Sequence, residues 1–89
     1  MTGLGYIAYT VTNPPCVVER TIVEIPDNEH GIINRTRGCT VRETDTGRYL
    51  GDCWSDGVRM CWRTTDCSSY GRASSLREAV RYIVSAKHP

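Results

Sequence analysis

Two turn signals in the middle of the chain, Asp45-Thr46-Gly47 and Asp56-Gly57, constrain its fold more than any other feature. Each separates segments in which polar and apolar residues alternate. Alternation with period two marks half-buried strands, and glycine supplies the positive φ that tight hairpins require. Residues 39–63 therefore read as a three-stranded antiparallel meander. A three-residue loop with Gly47 left-handed sets Thr44 opposite Arg48, Arg42 opposite Leu50 and Cys39 opposite Cys53. A two-residue turn at Asp56-Gly57 sets Ser55 opposite Val58, Trp54 opposite Arg59 and Cys53 opposite Met60. Because strand side chains alternate between faces, one face collects Cys39, Val41, Glu43, Tyr49, Gly51, Cys53, Val58, Met60 and Trp62. The other collects Thr40, Arg42, Thr44, Arg48, Leu50, Asp52, Trp54, Arg59, Cys61 and Arg63. A one-residue slip in the second hairpin would carry Arg59 and Arg63 into the apolar set, so the first face is expected to be core.

Residues 6–12 and 17–25, rich in β-branched and aromatic side chains, read as two further strands. Asn13-Pro14-Pro15 and Pro26-Asp27-Asn28 read as turns. Ile32-Ile33 reads as a short strand, and residues 35–38 as either the start of the next strand or a loop. Beyond a polar bend at residues 64–69, residues 70–73 form a last short strand. Ser75 followed by Glu78 is a capping box, and Leu76, Ala79, Val80, Ile83 and Val84 recur at helical spacing. That stripe should pack on Val41, Cys53, Met60 and Trp62, with Arg77, Arg81, Ser85 and Lys87 in solvent. The expectation is an α+β fold: an antiparallel β-sheet of four to six strands on one C-terminal α-helix, as a single domain spanning residues 1–89.

A hydrophobic content of 39% with 24% charged residues is ordinary for a globular chain and argues against disorder. Eleven Lys and Arg against ten Asp and Glu give a net charge of +1, far from the strongly basic balance of dedicated nucleic-acid binders. Ten of the eleven basic residues are arginine, which points to a GC-rich coding sequence. No basic segment followed by an apolar run opens the chain, and no apolar stretch is long enough to span a bilayer. The expectation is a cytoplasmic protein with no membrane association. Five cysteines without a secretory signal are expected to be reduced thiols.

The constellation that points most clearly to function is the second face, where Trp54 and Leu50 stand among Arg42, Arg48, Arg59 and Arg63. If the helix covers the opposite face this one is open, and tryptophan beside arginine is the composition of interaction hot spots. The alternative is that the N-terminal strands or a second subunit cover Trp54. Among the cysteines, Cys39 and Cys53 alone are placed to bridge across strands; the competing reading has them as small core hydrophobes. Cys16 and Cys67 are expected to be exposed. Zinc is not indicated, because there is no Cys-x-x-Cys and His30 and His88 stand near a loop and the chain end. Asp27 and Glu29 read as turn residues rather than a general acid–base pair. No glycine-rich phosphate loop is present, since Gly3 and Gly5 lack the strand-to-helix context. No catalytic residue, cofactor or metal is therefore expected. Tyr82 and Ala86 widen the helix's apolar surface, as a homodimer seam or as a core boundary with the tyrosine hydroxyl in water.

The order of parts ending in Tyr70-Gly71-Arg72-Ala73-Ser74-Ser75-Leu76-Arg77-Glu78-Ala79-Val80 is similar to AP2-type and integrase N-terminal DNA-binding domains. The resemblance covers residues 39–86 and implies a sheet whose exposed face lies in the DNA major groove. In size and layout the chain also resembles small phage-encoded inhibitor proteins. Two functions are therefore expected in competition. One is a non-enzymatic regulator or inhibitor engaging a protein partner through the Arg/Trp face; the other is a nucleic-acid-binding module using the same residues.

Overall fold

The computed structural model describes residues 6–12 and 14–86. Six strands form one antiparallel sheet in chain order: β1 (Tyr6–Thr12), β2 (Pro15–Asp27), β3 (Ile32–Glu43), β4 (Tyr49–Ser55), β5 (Met60–Thr64) and β6 (Tyr70–Ala73). One helix, α1 (Leu76–Ser85), follows. The expected α+β architecture is observed, and no helix among the described residues is long and apolar enough to cross a membrane. The expectations for Gly3, Gly5, Asn13, Lys87 and His88 lie outside the described residues.

The helix starts where the sequence places it. Ser75 has extended backbone and its Oγ accepts from the Glu78 N–H at 3.2 Å. Glu78 reaches back one residue further than in the reciprocal box, accepting from the Ser74 N–H at 2.9 Å. Ala79, Val80 and Ile83 are buried, with Leu76 and Val84 packed beside them. They meet Val18, Cys39, Val41, Cys53 and Ala73 from the sheet, flanked by Met60 and Trp62. Full burial of Val80 and Ile83 contributes about 1.5–3 kcal/mol each. Arg77, Arg81 and Ser85 are exposed as expected. Tyr82 lies against Trp62, ring centroids 5.6 Å apart, and stays 39% exposed at the core boundary.

Both hairpins of the meander depart from the expected geometry. Between β3 and β4 the loop holds four residues, since the Glu43 N–H donates to the Arg48 carbonyl at 2.8 Å, and Gly47 takes the expected positive φ of 74°. That offset is undone by a bulge: Arg42 faces Tyr49 whereas Val41 faces Gly51, with Leu50 as the extra residue. Cys39 consequently faces Cys53 as expected. The bulge reverses two face assignments. Leu50 is 4% exposed and belongs to the core, whereas Tyr49 is turned out and 48% exposed. The gain from burying a leucine instead of leaving it in solvent is the physical reason.

Between β4 and β5 the register is displaced by two residues, pairing Ser55 with Met60, Trp54 with Cys61, Cys53 with Trp62 and Asp52 with Arg63. The displacement leaves Asp56 to Arg59 as a loop, so Arg59 does not face Trp54 and Val58, placed in the core by sequence, is 89% exposed. Asp56 holds this wider loop, its Oδ1 accepting from the Val58 N–H at 2.9 Å and the Arg59 N–H at 2.7 Å, with Gly57 at φ 100°. A shift of two preserves the alternation of faces, and Met60 and Trp62 still point to the helix.

In the N-terminal half, residues 32–43 form one continuous strand paired with β2 over its whole length. Among the described residues, 22–27 and 32–37 pair only with each other, beyond the paired lengths of β1 and β4. Asp27 shapes the tip of this arm, its Oδ1 accepting from the Glu29 and His30 N–H groups at 3.1 and 3.3 Å. Cys16, expected to be exposed, is fully buried beside Val18, because it lies on the helix-facing side of β2. Burial, then the Glu43 carboxylate, pushes its thiol up.

Candidate interaction groove

Cross-strand pairing sets the side chains away from the helix into rows. Trp54, Cys61 and Arg72 form one row across β4, β5 and β6, and Asp52, Arg63 and Tyr70 form the next. The sheet curls around this face. Arg63 donates from Nη2 to the Glu24 carbonyl of β2 at 2.7 Å. β2 lies three strand spacings from β5, about 14 Å in a flat sheet, a span no arginine crosses without curvature. Gly38 allows the close approach beneath: a Cβ there would sit 2.3 Å from the Cys53 carbonyl oxygen and 2.7 Å from Val23 Cγ2. Val23 is buried on this concave side, the one large aliphatic it seals among the described residues.

Over the rows runs an open groove of about 970 Å³. Trp54, Cys61, Arg63, Tyr70 and Arg72 line it from the strands, Asp56, Val58 and Arg59 from the β4–β5 loop, and Cys67 from the β5–β6 bend. Asp56 organises one end. While its Oδ1 holds the loop, its Oδ2 accepts from the Cys61 thiol at 3.7 Å and pairs with Arg72 Nε at 3.3 Å. The Arg59 and Val58 N–H groups, in that order, hold its carboxyl below the ordinary value. Arg63 anchors the middle, donating from Nε to Asp52 Oδ1 at 2.7 Å and from Nη2 to Oδ2 at 3.2 Å, with its guanidinium 5.0 Å from the centre of the Trp54 ring. The bond to Asp52 raises its already high pKa.

The bend closes the other end. Asp66 Oδ1 accepts from Thr64 Oγ1 at 2.9 Å, the Ser68 N–H at 3.0 Å and Ser68 Oγ at 2.8 Å, which together bring its pKa down to about 2. Thr64, the buried polar residue beneath, accepts from the Ser69 N–H at 3.1 Å. This framework holds Cys67 exposed in the left-handed region at φ 61°, costly for a non-glycine residue.

Of the six residues singled out by sequence, Trp54, Arg59 and Arg63 line the groove. Arg59 does so from the loop, not the strand, because of the two-residue displacement. Arg42 shares the face but stands four residues along β3 from Trp54's partner Gly38. There it pairs with Glu19 at 3.3 Å and lies 4.5 Å over the Tyr49 ring, donating to its hydroxyl at 2.7 Å. Arg48 falls in the β3–β4 connection, outside both strands, and Leu50 is in the core. Asp56, Tyr70 and Arg72 were not assigned to the site, although the last strand and the turn aspartate were visible. What would have found them is the pairing of Cys61 with both Trp54 and Arg72.

At the distant arm tip, ligand atoms of Asp27, Glu29 and His30 lie within 4.8 Å of one another, with His30 Nδ1 2.9 Å from Asp27 Oδ2. The Asp27 carboxylate is already occupied by the turn's N–H groups, and the cluster is mainly exposed. Comparison of the chain with family models, curated proteins and solved structures finds no match in any of the three.

Proposed function

We propose that this protein is a small non-enzymatic binding protein, a regulator or inhibitor in type, that engages a protein partner through the groove over β4, β5 and β6. One observation carries the reading: the groove combines Trp54 and Tyr70 with arginines whose charge is mostly matched locally. Arg63 is paired with Asp52, Arg72 with Asp56, and Arg42, further along the face, with Glu19. Phosphate binding draws on unmatched cations and releases counterions, whereas protein interfaces are enriched in Trp, Tyr and Arg whatever their net charge. Arg59 has no ion pair among the described residues and supplies a donor at the rim.

The test sets the two partner classes against each other. Purified protein is titrated at low and high salt against mixed duplex and single-stranded nucleic acid, and in parallel is immobilised to capture proteins from a lysate, each beside Arg59→Glu. The expected result is no nucleic-acid binding at low salt, with a captured protein lost in the variant. Binding to nucleic acid that weakens steeply with salt and is abolished by Arg59→Glu would replace this reading with the nucleic-acid module.

A further inference from the structure

Cys39 and Cys53 sit under α1 on the face opposite the groove, 4% and 0% exposed. Both are free thiols directly opposite each other on β3 and β4. Opposed residues of an antiparallel pair have Cα atoms about 4.5 or 5.5 Å apart, depending on pair type. Both separations fall in the range of about 4.4–6.8 Å that a disulfide accepts. Each thiol perturbs the proton affinity of the other. None of the other cysteines has this arrangement: Cys16 is opposed by Val11 and Glu43, Cys61 by Trp54 and Arg72, and Cys67 lies in the bend.

We infer that Cys39 and Cys53 form an exchange site for low-molecular-weight disulfides, which close them into a bridge between β3 and β4. The Cys39 thiolate attacks one sulfur of the small disulfide, forming a mixed disulfide and expelling a small thiolate. Cys53 then attacks the Cys39 sulfur and expels the second. Two protein thiols are oxidised, one small disulfide is reduced to two thiols, and the two cysteine protons pass to the leaving groups.

The surroundings divide the roles. The neighbouring Cys53 thiol is the main influence lowering the pKa of Cys39; the charge of Arg20, its exposed partner on β2, acts in the same direction against burial. Cys53 is pushed up by the neighbouring Cys39 thiol and by burial, with Asp52 adding to the effect. Cys39, 4% exposed against 0% for Cys53, is the sulfur an incoming small disulfide meets first, and so the attacking one, with Cys53 resolving.

The full chain is incubated with glutathione disulfide, alkylated, and analysed by intact mass and peptide mapping, beside Cys39→Ser and Cys53→Ser. The expected product has lost two hydrogen atoms, with the crosslink between the peptides of Cys39 and Cys53. Cys53→Ser should accumulate a glutathione adduct on Cys39, and Cys39→Ser should leave Cys53 unmodified. If Cys39 and Cys53 of the unsubstituted protein stay alkylatable after unfolding while Cys61 or Cys67 carries the adduct, the inference fails, as it does if the only disulfide joins two chains. Because mapping is done on the unsubstituted protein, a variant that does not fold leaves the test decisive.

Discussion

Beneath α1 the sheet presents Val18, Val41, Leu50 and Cys53 to Ala79, Val80 and Ile83, and every one of these is buried. On the other side the same strands present Glu19, Arg42, Asp52 and Arg63, partly exposed and joined into ion pairs. The first side excludes water and needs only shape. The second keeps water nearby and is fixed by directional contacts: the two-pronged bond of Arg63 to Asp52, its reach to the Glu24 carbonyl, and the Asp56 and Asp66 turns. Apolar packing sets the stability of the fold, and polar geometry sets the shape of the groove. A partner can be accommodated on a face whose contacts are directional and rearrangeable, not on one already filled.

The largest break between the two faces should come from Ile83→Ala. Ile83 is fully buried and its Cγ2 would lie 3.0 Å from a Cβ at Gly51, so the site has no slack to close the void. A loss of about 2–5 kcal/mol is expected in urea unfolding, with groove binding retained under conditions where the variant stays folded. A loss below 1 kcal/mol would mean that the helix is not the principal cover of the sheet.

On the open face, Arg63→Ala should cost less, about 1–3 kcal/mol, because it strands a partly buried carboxylate at Asp52 and frees the Glu24 carbonyl. A double-mutant cycle with Asp52→Ala should give a coupling of about 0.5–3 kcal/mol. Arg63→Ala should also weaken partner binding more than its stability loss explains, since the Trp54 ring loses the guanidinium over it. Additive single effects would remove the ion pair from the account of how the groove is held.

The contrast also explains what could be read from sequence. The helix-covered side was legible because period-3.6 and period-2 patterns report burial directly: Leu76 to Val84, Val41, Cys53, Met60 and Trp62 fall where periodicity places them. The pairing of Cys39 with Cys53 came through although its loop is one residue longer than expected, because the Leu50 bulge restores the register. Leu50 and Tyr49 were missed for that reason, as alternation cannot announce an inserted residue. On the open face, parity excludes a slip of one residue but is blind to a slip of two. Arg59 and Val58 were therefore assigned to a strand when Asp56, by accepting two N–H groups, makes them a loop. The unbroken twelve-residue β3 was hidden by Asn34, Arg35 and Arg37, polar residues in a stretch of the strand that is mostly exposed and so carries no alternating burial. The curl that brings Glu24 to Arg63 is a property of the whole sheet and leaves no local mark.

The smallest expected effect concerns the Asp66 bend, and it separates the faces by acid. The pKa of Asp66 stands at about 2 in the folded chain against an ordinary 3.8, because Ser68 N–H, Ser68 Oγ and Thr64 Oγ1 all donate to the ionised form. A folded pKa below the unfolded one gives stabilisation that is complete above 3.8 and lost as pH falls through about 2. Asp66→Asn keeps an acceptor for the Ser68 N–H but removes the charge. The parent should therefore be the more stable at neutral pH, with the gap in melting temperature narrowing between pH 4 and 2 and closing below. Ile83→Ala, whose effect involves no proton, should show a gap from the parent that keeps its size over the same interval. If Asp66→Asn also differs from the parent by a constant amount, the bend is held by its shape alone, and the rim of the groove belongs with the packed face rather than the polar one.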